Sequence, residues 1–318
     1  MSLSRHNTLL EPVRRYRYEL FGLSLQSDLA IPGLVEAEGR MDASPIQIEF
    51  DRTPESIVNP DYQDEAVQAS ACEYLFTYPG MLRMYVNGDR RIVVERFAEC
   101  DSTRMWTLIL GAGTSIVGFR RGFVPLHASV VKANDGCVAL AGQSGFGKST
   151  LAASLDSFGY SLHADDLCLI QPGANSVFDV GGGVRELRLW DDAVEILDWS
   201  AREPYATIPE IPKSVYRLKP EPISLLPLRR IYALAFSEES TPPGIYRLKG
   251  VEAMQTLIGC LRMRPGLLSI GSRQRTFESL AAIGREIAIY RLVRPHDRSQ
   301  IRAWSERLAS HIATCEEQ

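Results

Sequence analysis

The segment Gly142-Gln-Ser-Gly-Phe-Gly-Lys-Ser149 sets three glycines, a lysine and a hydroxyl in an order suited to holding phosphates. It fits the pattern G-x-x-x-x-G-K-[ST] at every fixed position, which average residue usage would produce by chance in about one chain of this length in a hundred. Gly142, Gln143, Ser144, Gly145, Phe146, Gly147, Lys148, Ser149 and Thr150 therefore form the candidate nucleotide-binding set. Glycine is needed because side chains would hold phosphates away from the backbone N–H groups, and Gly145 and Gly147 sit where positive φ is expected. Lys148 would neutralise the β and γ oxygens of ATP or GTP, and Ser149 would ligate Mg²⁺. The competing reading is a glycine-rich strand-to-helix turn carrying a solvated lysine.

Asp165-Asp166 follows the lysine by seventeen and eighteen positions, flanked on both sides by apolar residues. Two adjacent carboxylates between strand-like runs are costly unless a cation or a functional role offsets their repulsion and desolvation. A metal-bound nucleotide supplies the cation. One acid suffices for Mg²⁺, so the second is free to take a proton from an attacking hydroxyl. Otherwise the pair marks a solvated turn. His127 stands alone in the apolar run LHASVVK, where residue type by itself points to a core histidine.

The elements around these residues can be read from pattern. The apolar run CVALA leads into the glycine-rich loop and a short helix, about Lys148 to Phe158, leaves it, so backbone N–H groups and a helix N-terminus converge on one point. SLHADDLCLI reads as an extended run interrupted by its two acids. Before these, Arg17 to Phe97 is β-rich, with runs such as IQIEF, EYLFTY, MLRMYV and RIVVERF, and Asn87-Gly88 is a hairpin signal. A buried helix is expected over about Arg104 to Arg120, and an amphipathic one over Gln300 to Ala313. Residues 200 to 226 are rich in proline with little periodicity, which suggests a long surface loop over a site. These signals divide the chain into a β-rich α+β domain over 1–102 and an α/β domain over 103–318.

Composition bounds the function further. With 318 residues, 45% of them apolar, the chain can bury two moderate cores, and its net charge of −4 creates no global field for nucleic acid or an anionic membrane. The N-terminal residues carry charge where a signal peptide would be apolar, and Met105 to Phe119 is too short for a membrane span. The six cysteines form no C-x-x-C pair and read as buried, reduced thiols of a cytoplasmic protein.

The order LHASVV, GQSGFGKST, short helix, GY, HADD resembles the bacterial HPr kinase/phosphorylase family, whose kinase domain is similar in fold to phosphoenolpyruvate carboxykinase. The resemblance covers about residues 126 to 170. It implies an α/β P-loop kinase domain in which His127 lies near the transferred phosphate, Asp165 is the acid nearest the metal, and Asp166 takes the proton from an acceptor serine. It also implies a role for Arg229, in LPLRRIYALAF, as an arginine approaching the phosphates. The family's Glu-x-Arg-Gly stretch is absent, and RELRLWDD stands in roughly that place, with Glu186 or Arg188 as substitutes. A β-rich domain ahead of such a kinase domain looks more like the kinases of peptide biosynthetic clusters, including those acting on the C-terminal serine of lasso-peptide precursors. The resemblance thus implies an ATP- and Mg²⁺-dependent serine kinase with a peptide or small-protein partner and an oligomeric assembly. A small-molecule kinase and a nucleotide-binding regulator without transfer activity are the alternatives.

Overall fold

The computed structural model describes residues 14–38, 44–98, 100–174, 177–208, 212–263, 270 and 273–316. The charged N-terminal stretch over 1–13 and the side chain of Cys315 lie outside the described residues. Two large sheets and one small one, with helices packed against them, make a mixed α/β architecture.

The β-rich runs before residue 97 form an eight-stranded sheet. Its centre is the meander Glu73–Tyr78, Leu82–Asn87 and Arg91–Arg96, antiparallel throughout, while Ile46–Phe50 pairs parallel with Arg91–Arg96. The turn at Asn87-Gly88 differs from a two-residue hairpin. Asn87 itself pairs with Arg91, so three residues make the connection and only Gly88 takes positive φ, at 65°. Alternation sorts the side chains, with Ile92 and Val94 entering the main core and Val93 packing on the other face with Ile57, Leu75 and Tyr85.

The expected buried helix runs from Ser102 to Arg120 with a π-helical stretch at Ile109–Gly113. Asp101 caps it by accepting from the Arg104 N–H at 2.8 Å. It lies between the two large sheets, and its glycines mark the contacts. A Cβ on Gly113 would come within 3.1 Å of Met84 and Ile92 of the first sheet, and one on Gly118 within 2.8 Å of Leu169 of the second. One core cluster consequently joins residues such as Met84, Ile92, Trp106, Ile116, Leu126 and Leu169 across this helix.

The second sheet has nine strands. Its longest strand, Leu225–Phe236, pairs in parallel with Gly136–Ala141 on one side and with Ala288–Arg294 on the other. Two of its chain segments are each broken into two strands. Val124–Leu126 and Ala128–Ala133 are separated by His127 alone, and Leu162–Ala164 and Cys168–Pro172 by Asp165, Asp166 and Leu167. The first halves of one pair with the second halves of the other, so both breaks fall at the same level.

The proline-rich region over 200–226 is not a surface loop. Ala206–Ile208 and Lys213–Arg217 are strands that join Glu186–Trp190 in a three-stranded antiparallel sheet. Burial of Leu187, Leu189 and Tyr216 in a core shared with Leu151, Ala152 and Leu155 drives this, a period-two pattern that the prolines at its flanks obscure. The cysteines also divide: Cys137, Cys168 and Cys260 are buried free thiols as expected, whereas Cys72 is exposed. Among the described residues no helix is long and apolar enough to cross a membrane.

His163, in the strand leading to the acidic pair, is 4% exposed and its Nε2 lies 3.2 Å from the Val180 carbonyl. Burial pushes its pKa down to about 4, outweighing that hydrogen bond. Between the ordinary histidine value and this lowered one, the unfolded chain takes up a proton that the native chain refuses. Stability is therefore complete above about pH 6.5 and falls as pH drops toward 4, by about 2 kcal/mol at pH 5. Urea unfolding at pH 7.5 and pH 5 should show a loss in wild type that is smaller by roughly that amount in His163→Gln. An equal loss in both proteins would contradict the assignment.

Candidate active site

The loop of residues 142–149 leaves the fully buried strand Gly136–Ala141 and enters the helix Lys148–Leu155. Gly145 and Gly147 take φ of 90° and 74°, as their positions in the pattern predict. A Cβ on Gly147 would also meet the Arg294 guanidinium at 2.4 Å, so only glycine fits there. Lys148 is 6% exposed, and its Nζ donates to the Gln143 carbonyl at 2.9 Å across the mouth of the loop. Burial lowers its pKa to about 8, against the pull of Asp165 and Asp166.

The two aspartates have separate partners. Asp165 accepts from Ser149 Oγ at 2.9 and 3.1 Å and from the Ser129 hydroxyl, which joins the loop's hydroxyl to the first carboxylate. Burial raises the Asp165 pKa, with the two serines working against the shift. A hydroxyl and a carboxylate on one point match what Mg²⁺ takes from protein when phosphates and water complete its octahedron. Among the described residues no group of three or more His, Cys, Asp or Glu side chains could hold a metal ion by itself.

Asp166 faces the other way. Its Oδ1 is 3.2 Å from His127 Nε2, and its Oδ2 is 3.0 Å from Arg262 and 3.7 Å from Arg188. Its backbone sits at φ 67°, a conformation costly for most residues but tolerated by Asp, and this turn separates the two carboxylates. Burial acts to raise its pKa, but the His127 hydrogen bond and the Arg262 and Arg188 charges win, holding the carboxyl well below the usual carboxylate range. The broken strands explain the placement, because His127 lies opposite the break that carries Asp166. The His127 backbone is fixed from both sides, its N–H donating to Cys260 O at 2.7 Å and its carbonyl accepting from Gly142 N at 3.1 Å.

Two arginines join the site that the sequence did not point to. Arg262 arrives from 96 residues beyond Asp166 through a bridge between Leu126 and Leu261 and an N–H bond to Pro125 O at 2.8 Å. Only a long-range contact could have revealed it. Arg294, at the end of the strand Ala288–Arg294, is 4% exposed and donates to the Phe146 carbonyl at 2.8 Å, with its Nε unpartnered. It also lies over the Phe236 ring, which stacks on Phe146. Because a peptide unit is planar and trans, a guanidinium holding the Phe146 carbonyl aims the Gly147 N–H the opposite way.

Arg229 is not part of the site. It is bound to Asp135 through the carbonyl at 2.8 Å and the carboxylate at 3.0 Å, beside Gly136. That is the opposite end of the loop-feeding strand, about 17 Å from the loop at the rise of an extended chain. Glu186 is likewise held elsewhere, by Arg217 at 2.6 Å, whereas Arg188 reaches the second aspartate and donates to Thr107 Oγ1 at 2.9 Å.

A cavity of about 730 Å³ collects these groups. Ser144, Gly145, Gly147, Lys148, Ser149 and Thr150 line it on one side with both aspartates and His127, while Gly142, Gln143 and Phe146 stand behind them. Across from the loop lie Thr103, Thr107 and Leu108 of the long helix and the inner face of the three-stranded sheet.

No family model matches the chain, and no curated protein matches it. Among solved structures, the HPr(Ser) kinase/phosphatase of Coxiella burnetii is similar at a TM-score of 0.31 with 11% identity, over 60% of this chain and 98% of that one. A likeness at that level decides nothing about activity.

Lys148 carries a charge that burial penalises, so Lys148→Met should leave the melting temperature unchanged or raise it. The same change should weaken Mg-nucleotide binding by about 2–3 kcal/mol, the scale of a charge-assisted hydrogen bond. Arg229→Ala should leave that affinity unaltered. Calorimetry on the three proteins checks the set, and equal affinity in wild type and Lys148→Met would remove the phosphate-loop assignment.

Proposed function

We propose that this protein is a nucleoside-triphosphate- and Mg²⁺-dependent kinase that transfers a γ-phosphoryl group to a hydroxyl, a serine of a peptide or small protein being the acceptor. The observation that carries this is the division of labour between adjacent aspartates: Asp165 is tied to the loop's Ser149, and Asp166 to His127, within one cavity. A regulator that only bound nucleotide would need the first and not the second.

Lys148 and the inward N–H groups of the loop hold the phosphates, and the Arg294 contact keeps the Gly147 N–H among them. Ser149 and Asp165 would hold Mg²⁺, which would offset negative charge on the phosphates. Asp166 receives the acceptor's proton as its oxygen forms a bond to the γ phosphorus and the bond to the β-bridging oxygen breaks, the diphosphate leaving with that electron pair. Asp166 is a weak base in this arrangement because Arg262, Arg188 and the His127 hydrogen bond hold it. A phosphate in the cavity competes for Arg262, and drawing it away raises Asp166 toward the range where a base is effective. His127, 3.2 Å from Asp166, orients the carboxylate.

A small-molecule acceptor is the second reading, favoured by the cavity volume, which lies in the range that encloses small ligands. Resemblance to the HPr kinase/phosphorylase family in the HADD and GQSGFGKST motifs supports the serine acceptor.

Asp165→Asn should raise the Mg²⁺ concentration needed for half-maximal nucleotide binding. Asp166→Asn should bind Mg-nucleotide as well as wild type or better, since it removes a negative charge beside Arg262, yet transfer should fall by about 10²–10⁴. Radiolabelled γ-phosphate transfer and Mg²⁺ titrations measure both. An identical metal dependence in the two variants would show that the roles are wrongly divided.

A further inference from the structure

We infer that the inner face of the three-stranded sheet is an acceptor subsite built for an anion, so that the acceptor carries a carboxylate or phosphate close to its reacting hydroxyl. This rests on the phosphotransfer reading above. In the pair Glu186–Trp190 and Lys213–Arg217, Arg188 faces Val215 and Trp190 faces Lys213. Alternation puts these four side chains on one face, and all four line the cavity, while Leu187, Leu189 and Tyr216 on the other face are buried in the core.

The acid on this face, Glu186, is already taken by Arg217, and Arg188 reaches Asp166 at 3.7 Å. Lys213 has no carboxylate within ion-pair distance among the described residues, and its ammonium lies 4.6 Å from the centre of the Trp190 ring. Its pKa is lowered by burial and then by the Arg188 charge, so the two cations repel across an empty space. The whole cavity is lined by seven lysines and arginines against four aspartates, in a chain whose net charge is −4. A Mg-bound nucleoside triphosphate brings about two negative charges. Lys148 stands at the loop to meet it, which leaves Lys213, and Arg188 with its 3.7 Å contact to Asp166, on the acceptor side.

Arg188 also fixes the spacing. Its guanidinium is 3.7 Å from Asp166, so an anion bound by Arg188 and Lys213 lies beside the carboxylate that takes the proton. Hydroxyl and anion must then belong to one small unit, a few bonds apart, with any apolar part against Trp190 and Val215. A serine with a free carboxylate and a phosphorylated polyol both satisfy this.

Binding tests the subsite without relying on transfer. In the presence of Mg-ADP, serine is compared with serinamide and glycerol 3-phosphate with glycerol by calorimetry, on wild type and Lys213→Met. The anionic member of at least one pair should bind roughly tenfold tighter or more to wild type, the scale of one charged hydrogen bond. Lys213→Met should abolish that preference while holding Mg-ADP affinity within about twofold, and the responding pair names the anion. No preference in either pair, or an equal loss of Mg-ADP affinity in the variant, would overturn the proposal. An anion preference in a protein that transfers no phosphate to any acceptor would keep the subsite and remove the kinase reading instead.

Discussion

The structure turns on keeping two neighbouring carboxylates apart inside a buried sheet. Asp165 and Asp166 are adjacent in the chain, and like charges so close in a low-dielectric setting raise each other's pKa unless each has its own compensation. The break between Leu162–Ala164 and Cys168–Pro172 provides it. The positive φ of Asp166 turns its side chain away from the loop, so Ser129 and Ser149 serve one carboxylate while His127, Arg262 and Arg188 serve the other. The matching break at His127 is required for this, and the Gly142–His127 backbone bond ties it to the start of the loop. The loop, the Ser149–Asp165 pair and the candidate base Asp166 are thus joined in one connected unit of the nine-stranded sheet.

In this site the charges are occupied with one another. Lys148 caps the loop through Gln143, Ser149 rests on Asp165, and Arg262 rests on Asp166. On the proposed function, each of these contacts would be exchanged for one with a nucleotide phosphate or with the metal. Arg294 is the exception. Buried, with one nitrogen unpartnered and another on the Phe146 carbonyl, it holds the loop in shape before any ligand arrives. Preorganised donors of this kind cost no rearrangement at the moment of reaction.

Much of this was legible in the sequence, for local reasons. The G-x-x-x-x-G-K-S pattern, its flanking strand and helix, and the acids embedded in SLHADDLCLI depend on residues within about thirty positions of one another. The uncharged run MWTLILGAGTSIVGF, too short for a membrane span, pointed to the buried helix that the structure shows. What escaped was carried by distant contacts. Arg262 and Arg294 reach the site through sheet pairings formed only in the folded chain. Arg229 was misplaced for the converse reason: its proline-flanked strand entry was right, but it enters at the end remote from the loop. The proline-rich segment hid two short strands because Pro204, Pro209 and Pro212 flank them and break the periodicity that Leu187 and Leu189 supply only across the sheet. The wall of the cavity that faces the loop was therefore invisible until the fold was known.

The division of roles between Asp165 and Asp166 is tested most directly by a crystal structure with Mg²⁺ and a non-hydrolysable triphosphate analogue. The account predicts phosphates enclosed by residues 142–149, a metal touching Ser149 and Asp165 with Asp166 outside its coordination sphere, and Arg262 turned from Asp166 toward the terminal phosphate. Phosphates bound away from the loop, or a metal held by Asp166, would contradict it.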